Sequence, residues 1–253
     1  MTLPLEGLFI QVATPSLENK YGGNYVDSLM NIRTTLEHFG AEFDWVKFPG
    51  CSDLPHARNK ILAKFTDHPK ATHLMKIDCD IGSDANDIVR FITSNRDFVA
   101  GAGCKKQIPL EWCIGNNSDV TGKKEPCVFK KSGDQIVGYP NAVGTGFVMI
   151  NKQCALRMRQ AYPELKYQDR FDGEDVWGLY DPVYYGTNEL KFRDFDDFAF
   201  CYRWRKIGGV VAVFPDIHLK HSGMHTFEGS WMDSDAVKEW NRTFNEVSGD
   251  KAA

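Results

Sequence analysis

Over its first hundred residues the chain alternates short apolar runs with stretches of helical periodicity, and few folds accept that order. Leu8 to Ala13 reads as a buried strand closed by Thr14-Pro15, after which Gly22-Gly23 breaks the chain. Tyr25, Leu29, Ile32 and Leu36 share one helix face that runs up to Gly40. Ala41 to Val46 is a second strand. Asp53-Leu-Pro55 supplies an N-cap followed by proline, and Ala57, Ile61, Leu62 and Phe65 mark the helix it opens. His73 to Ile77 is a third strand, Ser83 or Asp84 caps a helix bearing Ile88, Phe91 and Ile92, and Phe98 to Ala100 is a fourth strand. This repetition, with short connections, predicts a parallel sheet with right-handed crossovers and helices on its faces. It is the organisation of a nucleotide-binding half, although G-x-G-x-x-G does not follow the first strand and the P-loop pattern is absent.

The second half is less regular. Residues 101 to 140 look loop-rich, with a hairpin over Cys127 to Val137 turning at Ser132-Gly133-Asp134. Ala142 to Ile150 reads as one glycine-containing strand, and Lys152 to Tyr162 as a helix. Tyr167 to Asn188, rich in acids and aromatics, reads as a long surface loop forming an ordered binding surface. A helix over Asp194 to Lys206, a strand over Val210 to Phe214, a short segment over Ile217 to Met224 and a last helix over Asp235 to Val247 complete the chain. One unit of 253 residues is expected, with residues 1 to about 100 binding a nucleotide and about 101 to 253 an acceptor.

Hydrophobic content of 42% is enough for a sizeable core, and a net charge of −4 gives no overall basic field to draw nucleic acid or anionic lipid. The N-terminus lacks the features of a signal peptide, and no apolar run reaches membrane-span length. The 7 cysteines form no C-x-x-C pair, and the spacing of Cys104, Cys113 and Cys127 matches no familiar zinc framework. Reduced thiols and a cytoplasmic location are the expectation.

Chemistry concentrates in a few places. Asp78-Cys79-Asp80 follows the apolar run Thr72 to Ile77, and in an extended backbone residues i and i+2 point the same way. Two carboxylates at the carboxyl end of a buried strand would repel each other, and a divalent cation relieves that repulsion. Arg58 opens the second helix, where a guanidinium can hold phosphate, although an isolated helix arginine is more often solvated. Asp196-Asp197 opens the helix carrying Phe198, Cys201 and Trp204; acids there can serve the helix dipole or act as a general base. His221, before Ser-Gly, is an imidazole suited to Mn²⁺ more than Mg²⁺. Gly144-Thr145-Gly146 marks a close backbone approach, by a ligand or by ordinary packing. Lys105 or Lys106 could neutralise a leaving diphosphate.

In this order, MKIDCDIG (75 to 82), VGTGFVMI (143 to 150), FDDFAFCYRWRKIGG (195 to 209) and IHLKHSG (217 to 223) resemble the GT-A-fold glycosyltransferases, particularly small family-2-like enzymes and their viral relatives. The resemblance spans about residues 7 to 224. It implies a Rossmann-like α/β fold with a mixed, mostly parallel central sheet flanked by helices. It also implies a nucleotide-sugar donor, UDP- or GDP-linked, and Mn²⁺ or Mg²⁺ as cofactor. Thr14 and Pro15 would border the base, Arg58 the base or phosphates, and Asp78-Cys79-Asp80, Lys105 and Gly146 the donor. Asp80 and His221 would ligate the metal, and Asp78 would face the ribose or the metal through water. Asp197 would be the base that takes a proton from an acceptor hydroxyl in an inverting transfer. The acceptor, whether glycan, protein or modified nucleobase, is open, and a viral member would work in its host's cytoplasm. Two other functions stand beside this one: a nucleotidyltransferase of related fold, which usually carries a basic glycine-rich loop where this chain has Thr14 to Lys20, and a non-catalytic sugar- or nucleotide-binding protein.

Overall fold

The computed structural model describes residues 4–223 and 225–248. In chain order the first half runs β1 (Phe9–Ser16), α1 (Gly23–His38), β2 (Glu42–Pro49), α2 (Leu54–Asp67), β3 (His73–Ile77), a two-residue β4 (Ile81–Gly82), α3 (Ala85–Thr93) and β5 (Phe98–Gly101). The second half runs β6 (Ile114–Gly115), β7 (Val128–Ser132), β8 (Gln135–Tyr139), β9 (Ala142–Val143), β10 (Phe147–Asn151) and α4 (Lys152–Ala161). It continues through β11 (Lys166–Gln168), β12 (Asp175–Trp177), β13 (Val183–Gly186), β14 (Lys191–Asp194), α5 (Asp196–Lys206), β15 (Ala212–Phe214), β16 (His218–Ser222), β17 (Thr226–Ser230) and α6 (Asp235–Ser248).

Local signals start the helices where the sequence puts them. Asp53 accepts from the His56 amide at the head of α2, with Pro55 in the first turn. Asp84, not Ser83, caps α3, and Asn151 caps α4. Tyr25, Leu29, Ile32 and Leu36 are all buried along α1.

The central sheet has eight strands in the order β2-β1-β3-β10-β5-β15-β8-β7. β1 pairs in parallel with β2 and β3, and β5 with β15. The sheet is mixed, as expected, because β10 enters antiparallel between β3 and β5. Phe147 to Ile150 are buried along this strand, so it belongs at the centre of the sheet.

Alternation along the central strands decides which helices they meet. Met75 and Ile77 of β3, with Phe147 and Met149 of β10, pack with α1 and α3 through Tyr25, Ile32, Ile88 and Phe91. Leu74, Val148 and Ile150 face the other way, onto Ile61 and Phe65 of α2, Met158 of α4 and Phe200 and Trp204 of α5. Each such apolar side chain contributes roughly 1.5–3 kcal/mol by leaving water. By the same alternation Lys76, and Asp78 beyond it, point toward α2 and α5. A cation and an anion are thereby delivered to the interior side of the sheet's carboxyl end.

Four expectations need correction. β1 does not close at Thr14-Pro15 but runs on to Ser16, paired with β2 throughout. Ala142 to Ile150 is two strands, broken by Gly144 to Gly146. The long aromatic loop is two small antiparallel ribbons, β11–β12 and β13–β14, and Val176, Leu179 and Tyr180 of that region are buried. The segment after Ile217 forms a hairpin of β16 and β17, whose inner strand pairs with β4; Met224 lies outside the described residues. No helix among the described residues is long and apolar enough to cross a membrane.

Candidate functional site

The tripeptide Asp78-Cys79-Asp80 is pinned through its backbone. Its three carbonyls accept from the amides of Ile81 (3.0 Å), Gly22 (2.8 Å) and Ser222 (2.8 Å), which ties β3 to the start of α1 and to β16. β3 ends at Ile77 and the chain turns at once, so the strand alternation does not reach Asp80. The two carboxylates therefore part. Asp78 turns inward and Asp80 stays on the rim.

Asp78 donates its amide to the Gly146 carbonyl at 2.9 Å, and its carboxylate lies against Gly146 itself. A Cβ at position 146 would come within 2.9 Å of Asp78 Oδ2, so only glycine admits this approach without displacement. The Asp78 carboxylate accepts from Arg58 Nη2 at 3.1 and 3.3 Å. Arg58, only 2% exposed, also holds Asp197 Oδ1 at 2.6 Å and Asp196 Oδ2 more closely still. One buried guanidinium is thus shared by three carboxylates, one just past β3 and two from α5. Burial opposes its charge, but Asp197, Asp78 and Asp196 together raise its pKa above the ordinary arginine value.

Lys76 is the second interior cation. Its ammonium hydrogen-bonds the Thr145 hydroxyl, stands 3.5 Å from Asp197 Oδ1 and lies 4.6 Å from the centre of the Tyr180 ring. The Thr145 hydroxyl in turn donates to Asp197. Burial, with Arg58 adding repulsion, pushes the Lys76 pKa down to about 8 against the pull of Asp197. Burial works against ionising Asp197 too, but Arg58 and Lys76 outweigh it and hold the carboxyl below its usual range. Asp196 moves the other way: burial raises it and the Asp197 charge reinforces the shift. Asp196 adopts φ of +53°, a left-handed conformation that costs an L residue roughly 1–2 kcal/mol. Backbone strain at the head of α5 is therefore held in place by the ion pairs around it.

On the rim, Asp80 Oδ2 lies 2.5 Å from the Lys106 ammonium and 3.5 Å from His221 Nε2. His221 Nδ1 is 2.7 Å from the Cys104 carbonyl, so Nδ1 carries the proton and Nε2 faces Asp80. Burial would lower the His221 pKa, but Asp80 and the Cys104 carbonyl raise it overall. Burial likewise opposes the Asp80 charge, and His221 and Lys106 outweigh it to hold the carboxyl low. Between inner and outer clusters lies a cavity of about 80 Å³ lined by Asp78, Gly146, Asp197, Cys113 and His221 among others.

The other candidates fall at varying distances from this centre. Thr14 is fully buried and bonded to the Tyr25 hydroxyl at 2.5 Å, and Pro15 is buried beside it. Neither side chain lines the cavity. Cys79 is half-buried, and burial with the Asp80 charge raises its thiol pKa. Lys105 pairs with Glu111 at 2.8 Å; the lysine brought to Asp80 is its neighbour Lys106. His218 lies on the surface, 3.6 Å from Glu228. Sequence reasoning missed Lys76, and it read Thr145 only as part of a close backbone approach, without the hydroxyl's bond to Asp197. The signal for Lys76 was present, since a lysine inside a buried strand needs a counter-charge.

A divalent ion fits the rim by donor chemistry. Asp80 offers oxygen and His221 an oriented imidazole nitrogen, a mixed set suited to Mn²⁺. Among the described residues no group of three or more acidic, histidine or cysteine side chains gathers on one point. Remaining positions would fall to water and to a ligand's phosphates, as is usual for such ions at nucleotide sites.

No protein-family model matches the sequence, and no curated protein does. Among solved structures, A197 from STIV is similar at a TM-score of 0.51 and 11% identity, with 90% of this chain and 92% of that chain covered. A 4-diphosphocytidyl-2C-methyl-D-erythritol synthase from Anaerococcus prevotii DSM 20548 aligns over 66% of this chain and 80% of its own, at 12% identity and a TM-score of 0.34. A glycosyltransferase involved in the glycosylation of the major capsid of PBCV-1 aligns over 61% and 65%, at 10% identity and a TM-score of 0.28. The last two are too loose to carry an argument. The likeness to A197 spans nearly all of both chains and is one of fold: the chain adopts a Rossmann-like α/β fold with a mixed, mostly parallel central sheet flanked by helices.

Proposed function

We propose that this chain is a metal-dependent transferase acting on a nucleotide sugar, and specifically a glycosyltransferase. One observation carries the reading. Just past the carboxyl end of β3, the Asp80 carboxylate and the oriented His221 imidazole stand 3.5 Å apart beside a cavity whose walls include Asp78, Asp197 and His221. Ligands of open α/β sheets bind at that end of the strands.

Asp80 and His221 would hold the ion, Mn²⁺ or Mg²⁺, with Asp78 beyond them. When bound, the ion supplies Lewis-acid stabilisation of the departing nucleoside diphosphate. Lys106, 2.5 Å from Asp80, is a mobile-stemmed cation able to move onto phosphate. Gly146 lets the Asp78 carboxylate lie against the backbone at the cavity wall. Asp197 is the proposed general base, receiving the proton of the attacking acceptor hydroxyl at a carboxylate oxygen. Its ties to Arg58, Lys76 and Thr145 make it a weak base as it stands. A donor phosphate competing for Arg58 would loosen one of those ties and raise its basicity, coupling donor arrival to base activation.

The test is turnover with a panel of UDP- and GDP-sugars and Mn²⁺. Release of nucleoside diphosphate supports glycosyl transfer, and release of pyrophosphate from a nucleotide and a sugar phosphate supports nucleotidyl transfer instead. Asp197→Asn is expected to lower kcat by about 10²–10⁴-fold, the usual contribution of a positioned base, with nucleotide affinity retained. Undiminished turnover in that variant removes Asp197 from the role.

A further inference from the structure

A second cavity lies next to the first along one short ribbon. β6 and β9 pair Gly115 with Ala142 and Ile114 with Val143, and the Gly144 amide extends the pairing to the Cys113 carbonyl at 2.7 Å. Cys113 and Gly144 line the first cavity; Gly115 and Ala142, two residues along each strand, line the second. Side chains two residues apart share a face, so the cavities sit one step of roughly 7 Å apart. α5 repeats the relation, with Asp197 in the first cavity and Phe198 in the second.

The second cavity has a volume of about 100 Å³, against the roughly 10–15 Å³ that admits one water. Its apolar surface is aromatic. Tyr185 and Tyr202 stack at 4.4 Å, and the Phe198 ring lies over Gly115, where an added Cβ would stand 2.6 Å from it. Its polar surface is planar amide and carboxylate: Asn117, Asn141, Asp119 and Asp194. Among the described residues the one cation of the lining is Arg205, committed to Asp119 at 2.8 Å and the Asn141 carbonyl at 3.3 Å. Asp194 accepts from the Tyr185 hydroxyl at 2.8 Å through one oxygen only, and the exposed Asn117 carboxamide has no side-chain partner among the described residues.

We infer that this cavity is a subsite for an uncharged sugar ring. Aromatic faces take the apolar side of a pyranose, while carboxylate and carboxamide groups pair with adjacent hydroxyls. Asp119 already holds Arg205 and, at 3.4 Å, Lys206, while Asp194 has no cationic partner among the described residues, so the cavity offers phosphate and carboxylate ligands no free cation. The inference rests on the transferase reading for its role alone: a ring bound here presents a hydroxyl toward Asp197, which makes the acceptor a carbohydrate.

The experiment is saturation-transfer NMR on the full chain with the methyl glycosides of glucose, galactose, mannose and N-acetylglucosamine. At least one glycoside should receive saturation from the protein. Its binding should weaken about tenfold in Asn117→Ala and in Asp194→Ala, the loss of one good hydrogen bond, and persist in Asp80→Ala. Absence of binding by all four, binding unaffected by both cavity variants, or thymidine or adenosine binding there in their place would overturn it. A parallel titration with nucleoside diphosphate and Mn²⁺ separates the two readings. Nucleotide bound without glycoside removes only the sugar subsite; glycoside bound without nucleotide keeps the subsite and removes the transferase.

Discussion

Asp78 and Asp80 are separated by a single residue in sequence and belong to different clusters of the molecule. Asp78 sits in an interior cluster, sharing Arg58 with Asp196 and Asp197 beneath a buried Lys76. Asp80 sits on the rim, about a third exposed, in contact with Lys106 and His221. What differs is the cations: Asp78 is 28% exposed against 31% for Asp80, but the inner Arg58 and Lys76 are each 2% exposed, so removing either leaves carboxylates uncompensated in a dry setting. On the rim, water screens the pair, and the same residues can exchange partners at little cost. The first region ties α2, α5 and β3 together, and the second is where the proposed ligand would bind.

The comparison breaks most visibly at Arg58. Arg58→Met leaves Asp78 and Asp196 without their cation and Asp197 with Lys76 alone, and is expected to lower stability by about 3–5 kcal/mol, read from denaturant unfolding. A loss below about 1 kcal/mol would mean that the cluster is wet and the contrast false. Lys76→Met sharpens it through pH. The folded pKa of Lys76, about 8, lies below its unfolded value of 10.5, so between those limits the unfolded chain binds more protons and rising pH favours the native state. The burial penalty is full below pH 8 and relieved by about pH 10.5. The stability of Lys76→Met relative to wild type should therefore fall by up to about 3 kcal/mol across that window, measured by unfolding at each pH. A pH-independent difference would place a charged, solvated lysine there. The smallest effect is expected on the rim. Lys106→Ala and Lys105→Ala should each change stability by no more than about 1 kcal/mol. Only Lys106→Ala should weaken nucleoside diphosphate binding, by about tenfold, in a calorimetric titration.

Particular residues explain why some of this was legible in the sequence and some was not. Ala57, Ile61, Leu62 and Phe65 carry a clean helical period, and all four are buried as expected. Between them Arg58, Asn59 and Lys60 are buried too, which no single-face pattern announces. α2 is covered on a second side by the β11–β12 ribbon, where Asp172 and Glu174 take the Lys60 ammonium at 2.6 and 2.8 Å. That cover comes from more than a hundred residues away. The same reason hid β10: its apolar run was readable, but its place between β3 and β5 is a matter of pairing partner and not of propensity. At the site, strand alternation would have put Asp78 and Asp80 on one side. The turn closed by the Ile81 amide on the Asp78 carbonyl separates them, and such a turn leaves only a weak mark on sequence.

The most direct test of the rim as a metal and nucleotide site is thermal unfolding with UDP, GDP, dTDP and CDP. Each is added with and without Mn²⁺, to wild type and to Asp80→Ala. A ligand at 100 times its Kd stabilises the folded state by about 2.7 kcal/mol. The account predicts that rise with one nucleotide, only in the presence of Mn²⁺, and its loss in Asp80→Ala. An equal rise in Asp80→Ala, or no rise with any nucleotide, would contradict it.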